Sequence, residues 1–386
     1  MKFTVPVQTI ISPIAQVASI CTTNTSSPDD LTQYLLFIVK KDLLTLVGTD
    51  NAVQLKAEIP LPEGACESEG TFLMEASKAK DFFKTLGSSD DVSFELHSSE
   101  EEVLNIVSSQ ARFSVRIRMT SEEQFLPSFD EDAQKEIANI VSIEENKLRY
   151  MIEKSLFCAA RESYQEFFKG LRFEIRIDEL SIFALDGHRM AAVDVKLDQE
   201  AKEDFSFIMT HRGVTELQKL LSASLTEKIE LGVSANFATA KIGFYTITNR
   251  LLKCPYPAVR GVIPKNCNPE IAINVEEFKT YVKRVALFSN KRVNMINLVF
   301  SQDSLGLHCQ NSDHEIASAR VSIAPIDDHR EVNLNVDYLK DFLNAIDSSE
   351  VVFCFAPPYS NTLIRPKDEV NDLGIRVRYV VSHIVV

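Results

Sequence analysis

Apolar positions along this chain switch between two spacings, and the switch recurs three times. In EEFKTYVKRVALF, Phe278, Tyr281, Val282 and Val285 stand at i, i+3, i+4 and i+7, the single apolar face of an amphipathic helix. SKAKDFFKTL repeats that spacing with Ala79, Phe82, Phe83 and Leu86. Elsewhere apolar and polar residues alternate, break at a polar turn, and alternate again, which predicts strand, turn and strand. Three stretches have this layout: DLLTLVGTDNAVQLKAEIPL from Asp42, DELSIFALDGHRMAAVDVKL from Asp178, and DSLGLHCQNSDHEIASARVSI from Asp303. A helix-like segment precedes each (TIISPIAQVAS, KLRYMIEKSLF, EEFKTYVKRVALF) and another follows (SKAKDFFKTL, RGVTELQKLL, VDYLKDFLNAI). Strand-like sequence then closes each unit, beginning VSFEL, KIELGV and VVFCFA.

Self-similarity at this period means repeated domains. The pattern predicts three similar α+β domains in tandem, 1–127, 128–262 and 263–386, with helices over 8–20, 76–86, 145–157, 212–221, 276–288 and 336–346. Polar, turn-rich joints separate them, FLPSFDEDAQKE and KCPYPAVRGVIPKNCNPE.

Composition changes this picture little. Hydrophobic content of 45% and charged content of 25% suit a soluble globular protein. No apolar run approaches the roughly 20 residues that span a bilayer, so no membrane partner is expected. Cys21, Cys66, Cys158, Cys254, Cys267, Cys309 and Cys354 are scattered and never form CxxC, which predicts reduced thiols in the cytoplasm, with neither a disulfide framework nor a zinc site. The formal charge is −14, which alone predicts repulsion from nucleic acid. Within the predicted helices, however, basic residues outnumber acidic ones. Acidic groups on another face are screened beyond about 8 Å at physiological salt, so basic helices can still meet phosphates.

Asp186, His188 and Arg189 in DGHRM look like a catalytic cluster. No serine elbow, P-loop or HExxH pair accompanies them, and His308, Cys309 and His314 read as exposed strand residues in preference to metal ligands. No enzyme activity, cofactor or metal is expected, and DGHR reads as a turn between strands.

Three such domains, opening with MKFTV and carrying GTD, DGHR and VIPKN in order, resemble the bacterial β sliding clamp family over essentially the whole chain. The resemblance implies a head-to-tail homodimer whose six domains form a ring, helices inside and antiparallel sheets outside. The ring would encircle double-stranded DNA without reading sequence. It would tether the DNA polymerase III catalytic subunit, the clamp loader, other DNA polymerases and repair proteins through short peptide motifs, typically a glutamine followed by leucine and a terminal aromatic or leucine.

Carried over position by position, the resemblance implies a peptide cleft. Its middle-domain wall would comprise Phe168, Leu185, Gly187, His188, Arg189 and Met190. Pro257 and Val262 would come from the following joint; Val293, Asn335, Tyr338, Tyr359 and Asn361 from the third domain; Ser382, His383, Ile384 and Val385 from the chain end. Leu185, Met190, Pro257, Val262 and Ile384 would form the floor, with His188, Arg189 and Asn335 as a polar rim and Tyr338 as a movable wall. DNA contacts would fall to Lys78, Lys80, Lys84, Lys147, Arg149, Arg212, Lys219, Lys279 and Lys283, and the dimer interface to Arg112 and Phe113 against Leu287 and Phe288. The chain departs from the family at its SHIVV ending, where a methionine–proline–methionine–arginine–leucine run is usual, and at NSDHEIASAR, which replaces a glutamate-rich stretch. These departures point to an altered peptide preference and leave room for a second reading, an accessory clamp-like interaction protein with different partners.

Overall fold

The computed structural model describes residues 1–23, 30–86, 91–96, 102–109, 111–121, 125, 139–223, 228–357 and 361–385; the side chains of 222 and 223 are outside the description. Two compact units result: Met1–Glu145 with Thr215–Leu251, and Asn146–Val214 with Leu252–Val386. The described α-helices are α1 (Val7–Ala18), α2 (Ala76–Lys84), α3 (Glu145–Glu153), α4 (His211–Ala223), α5 (Val275–Val285) and α6 (Val336–Ala345). They fall on the expected windows, and all three strand–turn–strand copies form as antiparallel hairpins.

The division into two units has a cause in strand pairing. In the first unit a nine-stranded sheet runs in the order Arg118–Met119, Gly70–Glu75, Tyr34–Lys40, Leu43–Thr49, Val53–Pro60, Tyr245–Arg250, Phe237–Ile242, Lys228–Val233, Asn139–Glu144. Its first five strands belong to the first repeat and its last four to the middle repeat, joined where Leu55 faces Ile247. In the second unit an eight-stranded sheet runs Phe205–Thr210, Gly170–Arg176, Glu179–Leu185, Arg189–Lys196, Ile375–Ser382, Asn361–Pro366, Glu350–Phe355, Glu270–Asn274. There the middle repeat's other strands join the third repeat, with Val193 facing Val377. Backbone hydrogen bonds across each seam outweigh the sequence boundary, so the middle repeat is shared between units.

The first unit also contains a five-stranded sheet, Cys66–Ser68, Lys2–Pro6, Asp91–Glu95, Val103–Val107, Arg112–Arg116. α1 packs on α2 and on the strands Leu43–Thr49 and Val53–Pro60. Gly48 permits that approach, because a Cβ there would lie 2.6 Å from the Val17 carbonyl oxygen. Stacked Phe3 and Phe94, 4.3 Å apart, and Phe37 and Phe72, 4.6 Å apart, fill the core.

The second unit adds a four-stranded sheet, Ile316–Ser322, Ser304–Gln310, Met295–Ser301, Arg330–Asn335. Asn274 and Asn335 cap α5 and α6, each side-chain oxygen accepting first-turn amide hydrogens. Buried Asp194 accepts from Ser181 at 2.8 Å within its own hairpin and pairs across the seam with Arg378. The joint after the middle repeat is pinned by Arg260, which donates to Glu174 (2.8 Å), Glu179 (3.1 Å) and Ser181 (2.9 Å), and by Tyr256, whose hydroxyl donates to the Phe183 carbonyl at 3.2 Å.

Candidate functional site

The DGHR turn closes on its own acid. Asp186 Oδ1 accepts the amides of His188 and Arg189, both at 3.0 Å, and Asp186 Oδ2 accepts from Arg189 Nε at 3.0 Å. Gly187 has φ +95°, and a Cβ there would also crowd Phe168, 3.2 Å from its ring. Arg189 then reaches across to the third repeat. Its Nη1 donates to Asp341 at 2.6 Å, its Nη2 donates to the Phe157 carbonyl at 2.7 Å, and its guanidinium lies 4.3 Å from the Tyr338 ring centre. All three guanidinium nitrogens are engaged, so Arg189 clamps the hairpin to α6. Asp186 and Arg189 are occupied holding each other, an arrangement suited to fixing a turn and unsuited to moving protons in a reaction.

Beneath the turn lies an apolar cluster. Met190 is 4% exposed and packs with Phe183, Val259, Ile263, Leu363 and Val380, with half-buried Leu185 against them. Pro257 and Val262 are exposed on the neighbouring joint. The chain end is tied down beside it. Ser382 N donates to His188 O at 2.9 Å, Ile384 N donates to Asn333 O at 2.8 Å, and Asn361 faces Ser382 in the adjoining strand. Val385 projects outward, and Tyr359 lies outside the described residues. Asn335 Oδ1 is committed to the α6 cap, accepting from Asp337 N and Tyr338 N. Val293 is not part of the Met190 cluster; it lines a depression of about 540 Å³ with Asn290, Met295, Asn297, Cys309 and Ile316.

Sequence reasoning missed Asp341, Phe157 and Thr362. Asp341 was legible in part, since it stands three residues after Tyr338 and so shares its helix face. Thr362 Oγ1 bonds His383 Nε2 at 2.7 Å. Burial lowers the His383 imidazole pKa below its usual 6.5. Between its folded value and 6.5 the unfolded chain binds the proton and the folded tail does not. The contribution is therefore full above 6.5 and is lost as pH falls through that window. A proton-resonance titration of His383 should show a midpoint below 6.5; a midpoint at or above 6.5 would refute the buried setting.

The other expected residues separate into two groups. On the helices, Lys78, Lys84, Arg149, Arg212 and Lys283 are exposed, while Lys80, Lys147 and Lys279 are half-buried. Lys147 pairs with Asp198 at 3.3 Å, and exposed Lys219 pairs with Glu216 at 2.9 Å. Arg112 and Phe113 lie on Arg112–Arg116, the last strand of the five-stranded sheet, with Phe113 edge-on to Phe82 at 4.9 Å. Leu287 and Phe288 are 82% and 36% exposed on the short turn after α5. That turn packs beside Ile316–Ser322, the edge strand of the four-stranded sheet, where Ile316 is 66% exposed. Ile316 is a third outward apolar residue that hydropathy could not separate from an ordinary strand position.

Family models of the DNA polymerase III beta subunit match in order: the N-terminal domain over residues 1–125, the central domain over 142–258 and the C-terminal domain over 260–374. The chain belongs to the DNA polymerase III beta subunit family. It is similar to the Beta sliding clamp of Haemophilus influenzae, 28% identical over 364 residues, covering 94% of this chain and 95% of the relative. The Escherichia coli Beta sliding clamp is 26% identical over 351 residues, covering 91% and 92%. A Pseudomonas aeruginosa sliding clamp, solved bound to griselimycin, superposes with a TM-score of 0.90 at 23% identity, covering all of both chains. This chain is thus a replicative sliding clamp, a processivity factor with no catalytic role, and the similarities favour that reading over an accessory interaction protein. No helix among its described residues is long and apolar enough to cross a membrane.

Proposed function

We propose that two copies of this clamp, each with domains 1–127, 128–262 and 263–386, close head to tail around double-stranded DNA in the cytoplasm. The ring would tether the polymerase catalytic subunit, the clamp loader, other polymerases and repair proteins through short peptides. The supporting observation is the strand order. Both seams inside the chain join repeats by antiparallel edge pairing, one as five plus four strands and one as four plus four. Among the described residues, Arg112–Arg116 and Ile316–Ser322 each have a strand neighbour on one side only. Pairing these edges between copies would repeat the five-plus-four seam and cover Leu287, Phe288 and Ile316. Such a heterologous contact closes with two members when the rotation is a half turn.

DNA would be met by the helix cations Lys78, Lys84, Arg149, Arg212 and Lys283 foremost, because these are exposed to solvent. Phosphate contacts carry no base information, so association is topological. The peptide cleft would lie over the Met190 cluster, between the DGHR turn, Val262 and the chain end. After loading by the clamp loader, protein should stay on a circular duplex and leave it on linearisation. Binding to short open duplexes should be weak, blind to sequence and steeply salt-dependent. Equal retention on both DNA forms, or a strong sequence preference at fixed salt, would contradict the ring.

A further inference from the structure

The seven cysteines were expected to stand apart, yet two meet. Strand Glu270–Asn274 pairs with Glu350–Phe355 so that Glu270 faces Cys354 directly, and directly opposed residues share one side of the sheet. Glu270 Oε1 lies 3.7 Å from Cys354 Sγ. Just before that strand, Asn268 N donates to Phe355 O at 2.8 Å, which brings the chain back along the same edge. Cys267 thereby joins the group: one ligand atom from each of Cys267, Glu270 and Cys354 lies within 4.8 Å of the other two.

We propose that Cys267, Glu270 and Cys354 form a zinc site that fastens the joint between the second and third repeats to the sheet. Two thiolates and a carboxylate are a borderline-soft donor set suited to zinc. Tetrahedral zinc with metal–sulfur bonds of about 2.3 Å sets its sulfur ligands about 3.8 Å apart. Small side-chain rotations cover the difference. The carboxylate is already oriented: Arg365 Nη2 holds Glu270 Oε2 at 2.9 Å, leaving Oε1 toward the thiols. Arg365 is fixed in turn by donating to the Pro366 and Lys367 carbonyls at 3.1 and 3.0 Å. A ligand aligned by an outer partner in this way is a usual feature of metal sites. Cys354 is buried, Cys267 half-buried and Glu270 exposed, so the donors run from the core to the surface, and a water from the solvent side would complete the four ligands.

Binding replaces two thiol protons, which pass to solvent, so affinity rises with pH. Cys354 belongs to the Met190 cluster and Cys267 packs against it, so the metal would brace that cluster from the side of the joint.

The test uses the full-length protein, purified in reductant, stripped by chelator and dialysed against zinc. A single tightly held zinc per chain is expected, and cobalt(II) substitution should give thiolate charge-transfer bands. Cys267→Ser should weaken zinc binding by about a hundredfold or more, and Glu270→Gln by about tenfold. Cys254→Ser, in the same joint but outside the cluster, should change nothing. Cys354 is in the core and its serine variant can misfold, so half-buried Cys267 carries the decision. No retained zinc, equal retention by Cys267→Ser, absent thiolate bands, or a Cys267–Cys354 disulfide in the reduced preparation would each overturn the site. None of these readouts depends on ring closure or DNA retention.

Discussion

With Leu287 replaced by aspartate, the protein is expected to sediment as a folded monomer of about 43.4 kDa, where the proposed ring predicts twice that mass for the parent. Leu287 is 82% exposed, so its own domain has no need of it and the variant should fold. In the proposed ring the position is buried against the partner, where a lone carboxylate has no counter-charge. Leaving a charge buried without a partner costs about 3 kcal/mol at the lower end of measured cases. A head-to-tail dimer has two equivalent interfaces, so the penalty counts twice, about 6 kcal/mol or roughly ten-thousandfold in dissociation constant. Sedimentation velocity and far-UV circular dichroism measured together separate dissociation from unfolding. An unchanged mass in a folded variant would remove Leu287 from the interface and with it the edge pairing of Arg112–Arg116 with Ile316–Ser322.

Why Leu287 faces outward bears on what could be read from the chain alone. The apolar spacing of Phe278, Tyr281, Val282 and Val285 identifies a helix, and a window to 288 is a fair continuation. The α-helix ends at Val285, and Ala286–Phe288 tighten into a 3-10 turn that rotates Leu287 and Phe288 off the buried face. Periodicity therefore located the helix and left the direction of its last residues undetermined. Local signals behaved the same way throughout. Hairpins, helices and the triple repeat follow from spacing of a few residues, which neighbouring side chains enforce on their own.

Long-range pairing left no such mark. Nothing in Val53–Pro60 or Arg189–Lys196 announces that its open edge will be met by another repeat, so the sharing of the middle repeat between units was illegible. The meeting of Cys267 with Cys354 depends on the register of Glu270–Asn274 against Glu350–Phe355, and register between distant strands is set by the assembled sheet. Several residues expected to line the cleft have engagements that their spacing did not reveal. Asn335 is a helix cap, Val293 lines a different depression, and Arg189 is held on every nitrogen.

Removing the Arg189 side chain is accordingly expected to loosen the wall of the proposed cleft far more than the loss of one surface charge would. The side chain is 12% exposed, and its three nitrogens tie the DGHR turn to itself, to α6 through Asp341 and to the Phe157 carbonyl. In Arg189→Ala, Asp186 keeps its two backbone donors but loses its counter-ion, and its side chain is only 14% exposed. Breaking such a buried pair from one side costs about 3 kcal/mol. The local opening that frees the turn should become more frequent by about a hundredfold. Ser382 N reports it, because it donates to His188 O inside the same turn, and its exchange with deuterium should accelerate by that factor. Arg189→Lys keeps the charge but replaces the planar fork with a point charge and should fall between the two. Core amides that do not touch the turn, such as those of Ile271 and Ile273, should exchange as in the parent. If Ser382 exchanges at the parental rate in Arg189→Ala, the ion cluster does not hold the turn, and the shape of the proposed cleft must rest on the Met190 packing alone.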